Sequence, residues 1–75
     1  MKITEEWLES VGFEHIEFSE YAIAIGVYDT YLCIDENGLY VSLFDYEEGH
    51  SVNLRPLNTQ EEVRQLYKLL SEQEL

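Results

Sequence analysis

The chain starts with a short segment of helical periodicity. Thr4 precedes it as a favourable N-cap residue, and Gly12 follows it in the position of a helix-ending glycine. Phe13 can then fold back on Leu8, as at many helix ends. The apolar residues between these signals share one helix face: Trp7, Leu8 and Val11. The pattern predicts a helix between Thr4 and Gly12.

The middle of the chain alternates with the period of two that is typical of β-strands. Residues 14–19 place Ile16 and Phe18 on one side, and residues 21–28 alternate more clearly. A further alternation covers residues 51–55, after a polar turn. These runs predict three strands of an antiparallel sheet.

Asn37-Gly38 lies between two further strand-like runs and is the clearest local signal in the chain. This dipeptide is typical of a two-residue hairpin turn, and such a turn fixes the register of its strands. The predicted pairs are Ile34 with Val41, Leu32 with Leu43, and Tyr31 with Phe44. We therefore expect four or five antiparallel strands in all.

The strongest helix-start signal precedes the C-terminal segment. Thr59 and Glu62 have the spacing of a capping box, and Pro56 ends the sheet before them. The apolar residues that follow recur at helical spacing: Val63, Leu66, Tyr67 and Leu70. We expect this second helix to fray near Glu72 and Glu74, because negative charge is unfavourable at a helix C-terminus.

Both helices must bury an apolar stripe, and one face of the predicted sheet is strongly aliphatic. That face carries Ile23, Ile25, Leu32, Ile34, Leu39, Val41, Leu43, Val52 and Leu54. Packing both helices on it gives a two-layer α+β fold with the order α-β-β-β-β-β-α. The 75 residues have room for one domain, residues 1–75.

The opposite face of the predicted sheet joins small residues to an aromatic patch. It carries Ala22, Ala24, Gly26, Tyr28, Tyr31, Cys33, Asp35, Tyr40, Ser42, Phe44 and Asn53. One interpretation is a solvated face with scattered tyrosines, which form strands well. The other is a contact surface for a second copy or a different protein, because tyrosines concentrate at interfaces and Phe44 is poorly suited to water.

Charge is the most informative feature of the composition. Sixteen Asp and Glu against four Lys and Arg give a net charge of −12. This charge argues against binding nucleic acid or an anionic membrane, because both would repel it. Cys33 is the single cysteine, which excludes an internal disulfide. Without a run of ~20 apolar residues or a signal-peptide pattern, we expect a cytoplasmic protein.

The sequence offers little catalytic chemistry. Cys33, His15 and His50 could supply a nucleophile and a base, but Cys33 lies mid-strand, without the cation or helix N-terminus that activates a thiol. The turn at residues 45–50 could hold a divalent cation, although its spacing matches no EF-hand loop or zinc helix motif. We therefore expect no enzyme, no catalytic residue, no cofactor and no metal.

The high acidity has two interpretations: carboxylates keep a small protein soluble, or they imitate the phosphates of DNA. A compact chain of this size is ~29 Å across, and B-DNA of that length carries about 17 charges. The chain has sixteen carboxylates. They cluster at Glu5, Glu6 and Glu9; Glu14, Glu17 and Glu20; Asp35 and Glu36; Asp45, Glu47 and Glu48; and Glu61 and Glu62. A mimic would occupy a basic nucleic-acid channel, with fast, salt-sensitive association.

Both ends of the chain resemble a group of small proteins from phages and mobile elements. Members begin with Thr-x-x-Trp-Leu-x-x-x-Gly-Phe, as residues 4–13 do. They end in an amphipathic helix of Leu-x-x-Leu-Tyr type, which residues 62–70 resemble with Val63 in place of the first leucine. These motifs specify a fold rather than a site. The resemblance implies a genomic setting in which small acidic proteins often inhibit host nucleases, CRISPR effectors or other nucleic-acid-binding machines.

We therefore predict an acidic interaction protein that binds and inhibits a basic nucleic-acid-handling protein in the host cytoplasm. DNA mimicry is one mechanism for this inhibition. The alternative is a protein-binding or homodimerising module that uses the aromatic face, with charge serving only solubility. The candidate partner-binding residues are Asp35, Glu36, Asp45, Glu47, Glu48, Tyr31, Tyr40 and Phe44.

Overall fold

A computed structural model of the chain describes residues 1–26 and 29–75. The elements are α1 (Glu5–Ser10), β1 (Glu14–Glu17), β2 (Glu20–Ile25), β3 (Thr30–Asp35), β4 (Val41–Asp45), β5 (His50–Leu54) and α2 (Gln60–Ser71). The five strands are antiparallel and lie in the order β1-β2-β3-β4-β5. The predicted α-β-β-β-β-β-α fold is confirmed. Val27 and Tyr28, predicted in the second strand, lie outside the described residues.

The helix α1 begins and ends at the predicted signals. The Thr4 hydroxyl oxygen accepts a hydrogen bond from the Trp7 N–H at 3.1 Å, as an N-cap does. At the other end the Phe13 N–H donates to the Leu8 carbonyl at 3.0 Å, across Gly12 with its φ of 110°. This bond is the long one of a Schellman motif, so the predicted return of Phe13 to Leu8 is confirmed.

The helix α2 begins at the predicted cap. The Glu62 N–H donates to the Thr59 hydroxyl at 3.2 Å, and the Glu62 carboxylate accepts from the Asn58 N–H at 2.9 Å and from Arg55 at 3.1 Å. The helix stops before Glu72, which has left-handed geometry. Neither described helix has the length and apolar composition that crossing a membrane requires.

The hairpin between β3 and β4 has the predicted register but a different turn. The observed pairs include Ile34 with Val41, Leu32 with Leu43, and Tyr31 with Phe44. The Gly38 N–H donates to the Asp35 carbonyl at 3.1 Å, and Gly38 has a φ of 75° while Asn37 has no positive φ. The two-residue turns of hairpins need a positive φ at their first central residue, here Asn37, so the predicted two-residue turn is wrong.

The strand predicted over residues 14–19 ends early. β1 stops at Glu17, with a register irregularity between His15 and Glu17. Phe18 lies in the following turn, with a φ of 50° and a side chain 89% exposed. The alternation there marked a short strand and its turn, not one continuous strand.

Both helices bury their apolar stripe against one face of the sheet. α1 packs beside β1, and α2 packs beside β2. The core contains Ile3, Leu8, Phe13, Tyr21, Ile25, Leu32, Ile34, Val41, Leu57, Val63 and Tyr67. Two residues predicted on this aliphatic face are exposed instead. Leu39 lies in the hairpin loop, and Val52 lies on β5, the edge strand farthest from the helices.

The segment before α1 lies against the segment before α2. Lys2 forms an isolated antiparallel bridge with Thr59, and the Gln60 N–H donates to the Met1 carbonyl at 2.9 Å. In the same region the Leu57 N–H donates to the Gly38 carbonyl at 2.8 Å. These contacts join the N-terminus, the hairpin loop and the start of α2.

Candidate functional site

The sheet face opposite the helices has no helix over it in the described part of the chain, and we call it the open face. Strand register places two rows across it: Ala22, Cys33, Ser42 and Asn53, and then Ala24, Tyr31, Phe44 and Ser51. Two adjoining depressions of 670 and 650 Å³ lie on this face and share Ile16, Cys33 and Phe44. The predicted small-residue strip therefore forms the floor of a broad, apolar surface.

Aromatic side chains stand around this floor. Tyr31 and Phe44 lie directly opposite each other on β3 and β4, and both are half-buried. The Phe44 ring meets Tyr46 edge-on, with centroids 6.1 Å apart. Tyr40 is 77% exposed and lines the larger depression from the hairpin loop. Sequence reasoning missed Tyr46, because it lies in a segment interpreted only as a polar turn.

Carboxylates border the open face on the β1 side. Glu17 and Glu20 line the larger depression, and Glu14 lines the smaller one. All three side chains are exposed. Their clustering along the chain was recognised from the sequence, but their place beside the apolar floor depends on how β1 pairs with β2. The face therefore combines apolar and aromatic groups with a negative rim.

The predicted acidic contacts have different roles in the structure. Asp35 is 7% exposed, and its carboxylate accepts from the Leu39 N–H at 2.7 Å and from the Tyr40 N–H at 3.3 Å. Asp45 accepts from the Glu47 N–H at 3.0 Å. Both aspartates hold loops in shape. Because the Asp35 carboxylate is buried and bonded, it is not available to a partner.

A second group of carboxylates converges where α1 meets the hairpin loop, and we call it the α1 acidic cluster. Burial of Tyr21 raises its pKa, and nearby carboxylates raise that pKa further. These carboxylates are the α1 acidic cluster: Glu5, Glu6, Glu9 and Glu36. A hydrogen bond with Glu5, followed by burial and like charge, raises the pKa of the Glu36 carboxyl. The fold thus joins two clusters that are separate in sequence.

Cys33 and the two histidines do not form a catalytic arrangement. Burial, and then the charge of Glu20, raises the pKa of the Cys33 thiol, which disfavours the reactive thiolate. The His15 ring lies beside the Tyr21 ring, with centroids 5.0 Å apart and planes tilted by 39°, and its Nε2 donates to the Phe18 carbonyl. His50 lies 3.9 Å from Glu48. Each histidine is engaged away from the thiol.

The β4–β5 turn carries Glu47 and Glu48, both exposed. Within residues 1–26 and 29–75, no three or more His, Cys, Asp or Glu side chains are grouped to hold a metal ion. The turn is an exposed acidic loop.

Few of the carboxylates are neutralised. Within the described part of the chain, those within 4 Å of a basic group are Glu48, Glu61, Glu62 and Glu74. The Arg64 guanidinium lies 5.5 Å above the Trp7 ring and donates to the Leu75 carbonyl at 3.1 Å. Most of the negative charge therefore faces solvent without a partner.

Comparison with known proteins finds no matching family model, curated protein or solved structure. The resemblance to small phage and mobile-element proteins stays a prediction. Inference about function therefore depends on the surface of this chain alone.

Proposed function

We propose that the chain is a small acidic protein that binds and inhibits a basic nucleic-acid-handling protein, such as a nuclease or CRISPR-type effector. The observation that carries this proposal is an apolar, aromatic face bordered by Glu14, Glu17 and Glu20, which have no basic group within 4 Å among the described residues. Such a surface suits a partner that is both positively charged and able to bury aromatic side chains.

The size of the molecule is compatible with DNA mimicry. Its longest dimension is 33 Å. B-DNA of that length carries about 19 phosphate charges, at roughly one per 1.7 Å. The chain offers sixteen carboxylates over a similar length. A channel built for DNA would therefore meet a comparable charge, although on a surface of different shape.

The two kinds of residue have separate roles in this proposal. The carboxylates of the negative rim, together with the exposed Glu47 and Glu48 of the β4–β5 turn, attract the basic partner and raise the association rate. Tyr40 and Phe44 supply the apolar contacts that slow dissociation. The two roles predict different effects when each set is changed.

The test uses a panel of purified bacterial nucleases and CRISPR effectors against the immobilised protein. We expect at least one to bind, with affinity that falls steeply as NaCl increases and with competition by a DNA duplex. Changing Glu47→Lys together with Glu48→Lys lowers the association rate and flattens the salt dependence. Binding that ignores salt, or that DNA does not displace, would overturn the mimic.

The matched control reverses the same amount of charge elsewhere. Glu72→Lys with Glu74→Lys also changes the net charge from −12 to −8, but at the C-terminal end of α2. Lysine suits the negative end of a helix dipole, so this variant keeps its fold. An equal loss of binding in both variants would mean that only total charge matters.

The exposed aromatic residues favour a second candidate, a protein-binding module whose charge serves only solubility. Tyr40 and Tyr46 project into solvent beside the half-buried Phe44. In this case Tyr40→Ala with Phe44→Ala weakens partner binding and leaves its salt dependence unchanged. Surface plasmon resonance over a salt series separates this outcome from the first.

A further inference from the structure

The two edges of the sheet differ in how they are protected against pairing with another strand. β1 carries exposed Glu14 and Glu17, an irregular register and the left-handed turn at Phe18. Charges, bulges and short length are the usual devices that block an edge. β5 has no Asp, Glu, Lys or Pro, and it pairs with β4 along its whole length. No strand lies outside β5 in the described residues.

Hydrogen bonds show which backbone groups of β5 point outward. The Tyr46 N–H donates to the Asp29 carbonyl at 2.7 Å, and the Asp35 N–H donates to the Tyr40 carbonyl at 3.1 Å. Even-numbered residues of β4 therefore bond to β3, and odd-numbered ones bond to β5. The β5 residues opposite those odd-numbered positions are His50, Val52 and Leu54. The N–H and C=O groups of Ser51 and Asn53 are left facing away from the sheet.

We propose that β5 pairs antiparallel with β5 of a second copy, about a twofold axis at Val52. Ser51 then exchanges both backbone hydrogen bonds with Asn53 of the partner subunit, and symmetry repeats the pair. Val52 faces Val52 of the partner subunit at a non-hydrogen-bonded position, where Cα atoms lie about 4.5 Å apart. The proposed dimer has one continuous ten-stranded sheet and goes beyond the proposed function.

Charge favours a second copy at this edge despite the net charge of −12 on each chain. Residues 50–55 contain no carboxylate and end in Arg55, whose exposed guanidinium pairs with Glu62 of its own chain at 3.1 Å. A guanidinium has five N–H donors, so Arg55 can bind a second carboxylate as well. The antiparallel register sets Arg55 opposite Gly49 of the partner subunit, beside its acidic β4–β5 turn. This attraction occurs twice, once at each end of the paired strands, so the edge is complementary to itself.

The burial of Val52 and the number of edges left in the dimer also favour a second copy at β5. Val52 is 59% exposed in the single chain, although it is an apolar residue on the helix-side face. Pairing at the twofold axis covers each Val52 with the other. The edges that remain in the dimer are the two protected β1 strands, so assembly stops at two copies.

Sedimentation velocity tests the proposal from about 10 μM to about 1 mM protein, a range suited to weak association. We expect the wild type to shift from monomer to dimer as concentration rises. Val52→Lys places two like charges face to face and weakens dimerisation at least tenfold. Ile16→Lys makes the same charge change at an exposed residue on the open face, and this variant should still dimerise.

Cross-linking gives a second readout in a Cys33→Ser background. Val52→Cys places two thiols across the twofold axis and should form an intermolecular disulfide at least tenfold faster than Ser51→Cys, whose thiols are offset diagonally. A wild-type monomer at every concentration would overturn the proposal and leave the edge to a strand of another protein. Dissociation by Ile16→Lys rather than Val52→Lys would also overturn it, in favour of pairing through the open face.

Discussion

Gly38 is the glycine whose identity the fold constrains most closely. Its φ is 75°, and a Cβ built on it would lie 2.2 Å from the Leu57 carbonyl oxygen and 2.7 Å from Ile3 Cδ1. Gly49 has nearly the same φ, 74°, but nothing lies within 4 Å of its Cβ position. Comparing substitutions at Gly38 and Gly49 therefore distinguishes the effect of backbone strain from the effect of a steric clash.

Gly38→Ala is expected to destabilise the protein much more than Gly49→Ala. Both variants hold an alanine in the left-handed conformation, which lowers the free energy of unfolding by about 1 kcal/mol. Gly38→Ala must also displace a backbone carbonyl, which adds at least about 2 kcal/mol. Urea denaturation measures both values. Equal losses would mean that residues 56–58 shift away freely and that the contact with Gly38 is not a constraint.

At the scale of elements, α1 and the hairpin loop are joined by groups that repel one another. The carboxyls of Glu5 and Glu36 can share a hydrogen bond only when one of them holds a proton. The pKa of Glu36 is therefore raised in the folded chain, and the folded state binds this proton more readily than the unfolded state. At neutral pH the contact costs stability, and the cost is relieved on acidification.

Glu36→Gln is expected to raise the Tm at pH 7. The wild-type Tm should rise as the pH falls from the raised pKa of Glu36 towards its ordinary value of 4.5, and the Tm of the variant should rise less. Thermal unfolding across this pH range measures both effects. Glu62→Gln is the control of opposite sign, because the Asn58 N–H and Arg55 lower the pKa of Glu62. That variant should have a lower Tm at pH 7. A Tm for Glu36→Gln at or below the wild-type value would contradict the expectation.

The elements that the sequence predicts correctly depend on local signals. The caps at Thr4 and Thr59 and the pairing of β3 with β4 follow from residues close together in the chain. The turn type was wrong because the Asp35 carboxylate and Leu57 stabilise a different loop. Leu57 is nearly twenty residues from the loop, so no local pattern reports the contact.

The candidate site was predictable in part, for the same reason. The alternation of β3 and β4 places Tyr31 and Phe44 on one face, and the structure agrees. The negative rim and the α1 acidic cluster depend on which strands and helices lie side by side. Exposure of Val52 depends on where the helices stop covering the sheet. These features depend on how the elements pack together, which the hydrophobic periodicity and the composition of the sequence do not encode.

At the scale of the whole molecule, negative charge opposes the compact state. The described part of the chain pairs few of its carboxylates, and the radius of gyration is only 11.2 Å. Unfolding moves these charges apart and lowers their mutual repulsion. The folded protein is therefore expected to be sensitive to ionic strength even with no partner present.

The Tm is expected to rise as NaCl increases from about 20 mM to about 200 mM, because the Debye length falls from roughly 20 Å to roughly 7 Å. Differential scanning calorimetry measures the change. The Glu72→Lys, Glu74→Lys variant has less charge to screen, so its Tm should rise less. A wild-type Tm that is flat or falls over this range would show that self-repulsion is not a major term.

The contacts between the two ends of the chain also set the order in which the protein can be completed during translation. Met1 and Lys2 find their backbone partners at Gln60 and Thr59, and Ile3 lies against the Gly38–Leu57 junction. A ribosome releases those partners only after every strand has left the exit tunnel. The N-terminal segment must therefore wait, with Ile3 uncovered, until residues 57–60 have emerged from the ribosome.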